Sequence, residues 1–307
     1  MNPFGPASIV VADEVRTALD ERRGVVALET TIVVHGLPAP VNLEVAAACE
    51  AAVRAAGCVP ATVGVLGGRL IVGLSSEELA RLADPARASV KLSARDLGPA
   101  MALGRDGATT VAGTLVVAQR VGVDVLATGG LGGVHRNAAT SFDESADLTS
   151  LSRASVLVVA SGVKSILDIG ATLERLDTLG VPVVGYRTSD FPGFYRHASG
   201  HALEWSVASP AEAAAVFRAH RVVSPAGLLL ANPVAVDHEL DADLHERALR
   251  GAFESASRRG VTGKAVTPVL LAEFARLTGG ASVEVNRDLV VANARLASDV
   301  AAALAAT

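Results

Sequence analysis

Short apolar runs recur along this chain, each separated from the next by a longer amphipathic stretch: Val25–Leu28, Asp124–Thr128, Ser155–Ala160, Val181–Tyr186 and Gly227–Ala231. Runs this short, apolar throughout rather than alternating, are what strands covered on both faces look like. Between them the 3.6-residue pattern predicts helices over Asn42–Ala56, Thr109–Val121, Val163–Leu179, Pro210–His220, Leu240–Arg259 and Leu289–Ala305. Asn42 is placed to cap the first of these, and Gly57 and Gly122 to stop the first two. Val63–Leu66 and Arg69–Leu74 flank Gly67-Gly68, a two-residue hairpin signal, and Ser75 with Glu78 forms a capping box. The expectation is an α/β/α sandwich with a mixed, largely parallel central sheet. No internal repeat or low-complexity linker divides the 307 residues, and Pro192, Pro225 and Pro233 read as loop positions, so a single domain is expected.

Half the residues are hydrophobic but only 3% are aromatic, so the core has to be built from Ala, Val and Leu. The formal net charge of −5, without a basic stripe or an aromatic platform, argues against a nucleic acid polymer as partner. No segment approaches the roughly 20 apolar residues of a membrane span. Met1–Arg23 carries Asp13, Glu14, Asp20 and Glu21 and does not read as a signal peptide, so a cytoplasmic location is expected. Cys49 and Cys58 sit among small or apolar residues and read as packed thiols rather than a disulfide or metal pair.

In open α/β sheets ligands gather at the carboxyl ends of strands. Just beyond the predicted strands stand Glu29 with Thr30 and Thr31, the glycine cluster Gly129–Gly133 followed by His135 and Arg136, Lys164, and Asn232. Lys164 opens the helix predicted over Val163–Leu179, where the dipole disfavours a cation and would favour a nucleophilic amine. Asp143 and Asp147, in the acidic run Ser141–Asp147, could hold a hard divalent ion through oxygen and water. His197 and His201 have a metal-like spacing, but Gly200 interrupts it and no third ligand is near.

These segments together resemble the pseudouridine-5'-phosphate glycosidase family, also called indigoidine-synthase-A-like. The resemblance rests on ALETTIVVHGLPAPVNLEVA (27–46), VPATVGVLGGRLIVGLS (59–75), KLSARDL (91–97) and GATTVAGT (107–114). It continues through ATGGLGGVHR (127–136), SFDESADLT (141–149), the stretch 162–186 that opens GVKSILD, GKAVTPVLL (263–271) and TGGASVEVNRDLVVANARLA (278–297). What it implies is cleavage of the C–C glycosidic bond of pseudouridine 5'-phosphate to uracil and ribose 5-phosphate through a lysine Schiff base.

Carried over by position, Glu29 matches the family's proton donor, Lys164 its Schiff-base nucleophile and Asp143 its manganese-associated carboxylate. Lys91, Val111, Ser145, Ala146, Asp147 and Asn293 match substrate contacts. The resemblance also implies one Mn2+ per subunit and a homotrimer. Val291 and Ala292 stand where the family usually has Lys and Asn, Gly170 where proline is common, and Asn137-Ala138 where Gly-Ala is common. Two other readings stay open: a Schiff-base lyase for another C-nucleoside phosphate or phosphosugar, and a non-catalytic phosphosugar-binding protein. The 5'-phosphate could lie on the amides of Gly129–Gly133 or meet a basic side chain.

Overall fold

A computed structural model describes residues 9–261 and 266–306 of the chain. The strands in chain order are β1 (Ile9–Val11), β2 (Val25–Leu28), β3 (Val59–Leu66), β4 (Arg69–Val72), β5 (Val90–Leu92), β6 (Gly107–Thr109) and β7 (Val125–Ala127). They continue with β8 (Val134–His135), β9 (Leu157–Ala160), β10 (Leu167–Asp168), β11 (Val183–Tyr186), β12 (Trp205–Val207) and β13 (Leu228–Ala231). The main sheet runs β1-β4-β3-β2-β7-β9-β13-β11-β12, and its span from β3 to β12 is parallel throughout.

The mixed character comes from β3. Its first half pairs in parallel with β2; its second half leaves the parallel sheet and pairs antiparallel with β4 and β6. The β3–β4 hairpin turns at Gly67 and Gly68, both at positive φ (56° and 75°), a conformation with little penalty for glycine. β5 hangs from β6 in parallel.

The central strands are buried along their whole length, as their unbroken apolar runs require: every residue of β2, β3, β7, β9 and β13 is buried. The 25-residue helix Ala281–Ala305 lies across β2, β7 and β9 and packs on the helices Val41–Ala55 and Pro210–Val223. The helix Val111–Val121 covers β2, β6 and β7 elsewhere and packs on the short helix Ala146–Leu151. The capping box at Ser75 and Glu78 forms as predicted. No helix among the described residues is long and apolar enough to cross a membrane.

The structure changes two helices materially. The helix predicted from Val163 begins only at Ile169, because Asp168 takes the cap position and accepts from the Ala171 N–H at 2.9 Å. The preceding residues form a loop and then β10, which pairs antiparallel with β8. Lys164 is therefore a loop residue, and the helix-dipole argument for its reactivity falls. The last helix starts eight residues before the predicted Leu289, at Ala281, after Gly279 and Gly280, both at positive φ. The Nδ1–H of His197 donates to the Val234 carbonyl at 2.7 Å.

Candidate active site

A cavity of about 440 Å3 opens where β2, β5, β6 and β7 end. Glu29, the residue after β2, lies in it, buried. Its Oε2 accepts from the Thr31 hydroxyl at 2.5 Å and from the Ile32 N–H at 3.1 Å. Both donors belong to the turn leading into a short π-helix, Ile32–Gly36. Burial nevertheless dominates and holds the carboxyl above its ordinary value near 4.5; the Thr31 bond and the charge of Lys164 oppose the shift. Glu29 is thus poised to carry a proton, as a general acid must be.

Across the cavity two loops zip together beyond the ends of β7 and β9. Leu131 N–H donates to the Gly162 carbonyl at 3.0 Å, and Lys164 N–H to the Leu131 carbonyl at 3.1 Å. The Lys164 ammonium reaches the Gly130 carbonyl at 3.0 Å. Asp147 clamps the same loop: its Oδ2 accepts from the Gly132 N–H and its Oδ1 from the Ala112 N–H, both at 2.8 Å. The glycines are packing glycines. A Cβ at Gly132 would fall 2.2 Å from Ser145 Oγ, and one at Gly130 would fall 2.6 Å from the Phe194 ring.

Of the sequence-predicted residues, Glu29, Lys91, Val111, Asp143, Ser145, Ala146, Asp147 and Lys164 all line this cavity. Asn293 does not. It is fully buried behind the loop, where its Nδ2 donates to the Thr128 carbonyl at 2.8 Å and to Ser161 Oγ at 3.1 Å. Its Oδ1 accepts from Asn232 Nδ2 at 2.9 Å, so Asn293 braces three strand ends instead of facing the cavity. Val291 packs partly buried against the core and Ala292 is exposed; neither lines the cavity.

Both Asp147 oxygens already accept backbone amides. Asp143 remains, 40% exposed at its side chain, with Oδ2 at 3.9 Å from His135 Nε2. Burial foremost, then the charges of Lys91 and Lys164, keep His135 below its usual value near 6.5, against the pull of Asp143. One half-exposed carboxylate beside a neutral imidazole suits a divalent ion that keeps most of its water. Among the described residues no group of three His, Cys, Asp or Glu side chains forms a cage for one.

Among the lining residues that the sequence reading does not single out are His35, Ser93, Arg95 and Asn286. His35, Ser93 and Asn286 each leave a buried polar atom without a partner among the described residues, namely Nε2, Oγ and Oδ1. The one available signal was for Asn286, seven residues before Asn293 and so on the same helix face.

The indigoidine synthase A like protein family matches residues 14–303. The pseudouridine-5'-phosphate glycosidase of Salinispora tropica is 56% identical over 295 residues, 95% of this chain and 91% of its own. That of Streptomyces griseus subsp. griseus is 53% identical over 299 residues, 96% and 92% of the two chains. Among solved structures, a prealnumycin C-glycosynthase in complex with ribulose 5-phosphate superposes with a TM-score of 0.89 at 40% identity, covering 97% of each chain. An indigoidine synthase A-like protein of Thermotoga maritima gives the same TM-score, 0.89, at 33% identity, again over 97% of each chain.

Proposed function

Because the chain belongs to the indigoidine synthase A like family, we propose that it cleaves the C–C glycosidic bond of pseudouridine 5'-phosphate through a covalent adduct on Lys164, giving uracil and ribose 5-phosphate. The observation that carries the mechanism is the pairing, across one cavity, of a buried acid with a raised pKa and a lysine close enough to act on it electrostatically.

Most glycosidases protonate a leaving oxygen. Here the leaving atom is carbon 5 of uracil, with no lone pair to protonate, so another route is needed. Glu29 gives its proton to the ribose ring oxygen as the C1'–O4' bond breaks, with electrons supplied by the conjugated uracil. Lys164, as the free amine, forms a bond to C1' and loses a proton. Once C5 is protonated, the lysine nitrogen lone pair moves into a C1'=N bond while the C1'–C5 bond breaks and uracil leaves. Water then hydrolyses the Schiff base, freeing ribose 5-phosphate and the amine.

Gly130 holds Lys164 through its carbonyl, and Asp147 fixes the loop that carries Gly130. Asn286 Oδ1, buried and unpartnered, suits the imide N–H of uracil. Asp143, with His135 beside it, would hold the Mn2+ that belongs to this proposal. When bound, such an ion supplies fixed positive charge to substrate oxygens and ordered water. A cytoplasmic homotrimer completes the reading; sedimentation velocity tests the assembly, and a monomer would refute that part.

The C-glycosynthase neighbour favours a second reading, in which the same adduct is used to form a C-glycoside. The higher identity to the glycosidases places cleavage first. The test is uracil release from pseudouridine 5'-phosphate, with manganese and after chelation. Lys164→Ala should remain folded, lose turnover by ~10^4-fold or more and no longer be trapped by borohydride in the presence of ribose 5-phosphate. A Lys164→Ala protein that still releases uracil would end the nucleophile assignment.

A further inference from the structure

The proposed chemistry needs the Lys164 amine at one point, and the group that receives it is a backbone carbonyl, that of Gly130 at 3.0 Å. Against Gly130 lies a phenylalanine from a distant part of the chain. The segment 191–194 runs beside both loops that carry the amine: Gly162 bridges to Gly193, and the Phe194 ring packs on Gly130. Phe194 is 2% exposed and lines the cavity.

Two features of this contact are unfavourable by themselves. Phe194 holds φ at 66°, in the left-handed region, where a bulky side chain is strained. Arg22, Ala88, Phe142 and Arg187 also have positive φ among the described residues, but of the five only Phe194 lines the cavity. Gly130, in turn, is not among the glycines at positive φ, so its backbone does not require glycine. Its missing Cβ leaves space instead. One built there would stand 2.6 Å and 2.7 Å from Cδ2 and Cε2 of the Phe194 ring, far inside carbon–carbon contact distance.

The strained turn is tied on both sides. The Gly193 N–H donates to the Arg196 carbonyl at 3.0 Å, and the Tyr195 carbonyl accepts from the Leu240 N–H at 2.9 Å. The Tyr195 ring meets the Phe194 ring edge-on, 4.5 Å between centroids, and stacks in turn on Phe274 at 5.1 Å. A strained backbone at one residue and an omitted Cβ at another meet at a single contact, so the fold presses this ring on this peptide. That peptide is the one whose carbonyl receives the amine.

Building on the glycosidase reading, and on Lys164 as its nucleophile, we propose that Phe194 is a positioning residue for the covalent step, seating the Gly130 peptide so that its carbonyl holds the Lys164 amine ready for the sugar. Phe194 acts through Gly130, so its loss changes how fast the amine reacts and leaves substrate binding nearly intact.

The test compares wild type, Phe194→Ala, Gly130→Ala and the double variant, each checked for folding by its thermal melt. One readout is kcat and KM for uracil release from pseudouridine 5'-phosphate. The other is the rate at which borohydride traps saturating ribose 5-phosphate on Lys164, located by peptide mass spectrometry. Phe194→Ala should lower kcat and the trapping rate together by about tenfold, with KM within about twofold. Gly130→Ala, forced against the intact ring, should lower both about a hundredfold. With the ring gone the added methyl has room, so the double variant should lie within about threefold of Phe194→Ala alone. Phe194→Leu, which fills more of the space, supplies the background if the alanine variant does not fold.

Losses that multiply in the double variant overturn the proposal, because the ring then does not act through Gly130. A lower melting temperature with unchanged trapping by the folded protein overturns it too, and makes Phe194 a packing residue. An effect confined to KM overturns it in favour of a substrate contact. A wild type that is not trapped on Lys164 overturns it together with the nucleophile. The expected trapping rates without uracil release from wild type support the positioning role and refute the glycosidase reading instead.

Discussion

The two walls of the cavity are built on opposite principles. On the Lys164 side the backbone and carboxylate groups are matched within the protein: the Leu131 and Gly132 amides, both Asp147 oxygens and the Gly130 carbonyl all have partners, while Ser165 Oγ and Asn286 Oδ1 do not. On the Glu29 side burial raises the pKa of the carboxyl, and His35 Nε2 and Ser93 Oγ are left without a partner among the described residues. Under the proposed chemistry the amine of Lys164 has to be held in one place before substrate arrives, which suits the matched hydrogen bonds around it. Acid catalysis and ligand recognition require proton and hydrogen-bonding capacity that the fold has not used.

The largest effect that would break this contrast is on turnover. Glu29→Gln should lower kcat by about 10^2- to 10^4-fold, the contribution of a positioned general acid. It should also remove the fall in kcat that the wild type shows as pH rises through the raised Glu29 pKa. The same substitution should act on stability with the other sign. A carboxyl raised in the folded state contributes stability that is complete below its unfolded value, near 4.5, and is lost as pH rises through the folded value. Thermal melts of the two proteins should therefore converge in acid, with Glu29→Gln gaining relative to wild type at neutral pH. A Glu29→Gln protein less stable than wild type at pH 7 would contradict a Glu29 wall that carries a stability cost.

Asp147→Ala is the mirror experiment. It leaves the buried Ala112 and Gly132 amides without acceptors, and denaturant titration should show a loss of about 2–5 kcal/mol. Next in size is Gly132→Ala, whose Cβ meets Ser145 and Asp147, with an expected cost of about 1–3 kcal/mol and a matching loss of kcat. The smallest effect belongs to Ser93→Ala, which removes an unpartnered hydroxyl; equilibrium unfolding should change by no more than ~0.5 kcal/mol, in either direction. A large destabilisation there would make Ser93 a scaffold residue and erase the contrast.

Much of the fold was legible because burial on both faces leaves a plain signature. Val25–Leu28 forms as predicted, and the runs over 124–128, 155–160, 181–186 and 227–231 each contain the expected strand. The hairpin at Gly67-Gly68 was legible for a local reason, since two positive φ values in succession favour glycine. β1, β5 and β12 were not anticipated. They are three-residue strands with exposed positions, and only the strand beside each one makes it a strand.

Among site residues, Glu29 and Lys164 followed from their places after apolar strands and from the resemblance, and both line one cavity. The reason first given for Lys164, a helix N-terminus, was wrong: the Asp168 cap moves the helix start to Ile169, past the lysine. Asn293, carried over from the resemblance as a substrate contact, reaches the ends of β7, β9 and β13 and does not line the cavity.

The sequence by itself determined the layered α/β architecture and, through its ordered motifs, the family, because these depend on local apolar periodicity and on residues at fixed points beside it. Tertiary structure alone decided what each polar group is for. Asp147 became a clamp and Asn293 a brace because amides and carbonyls distant in the chain satisfy them. His35 Nε2 and Asn286 Oδ1, which also line the cavity, have no partner among the described residues. Hydrogen-bond satisfaction is a property of the folded neighbourhood, and spacing along the chain carries almost none of it.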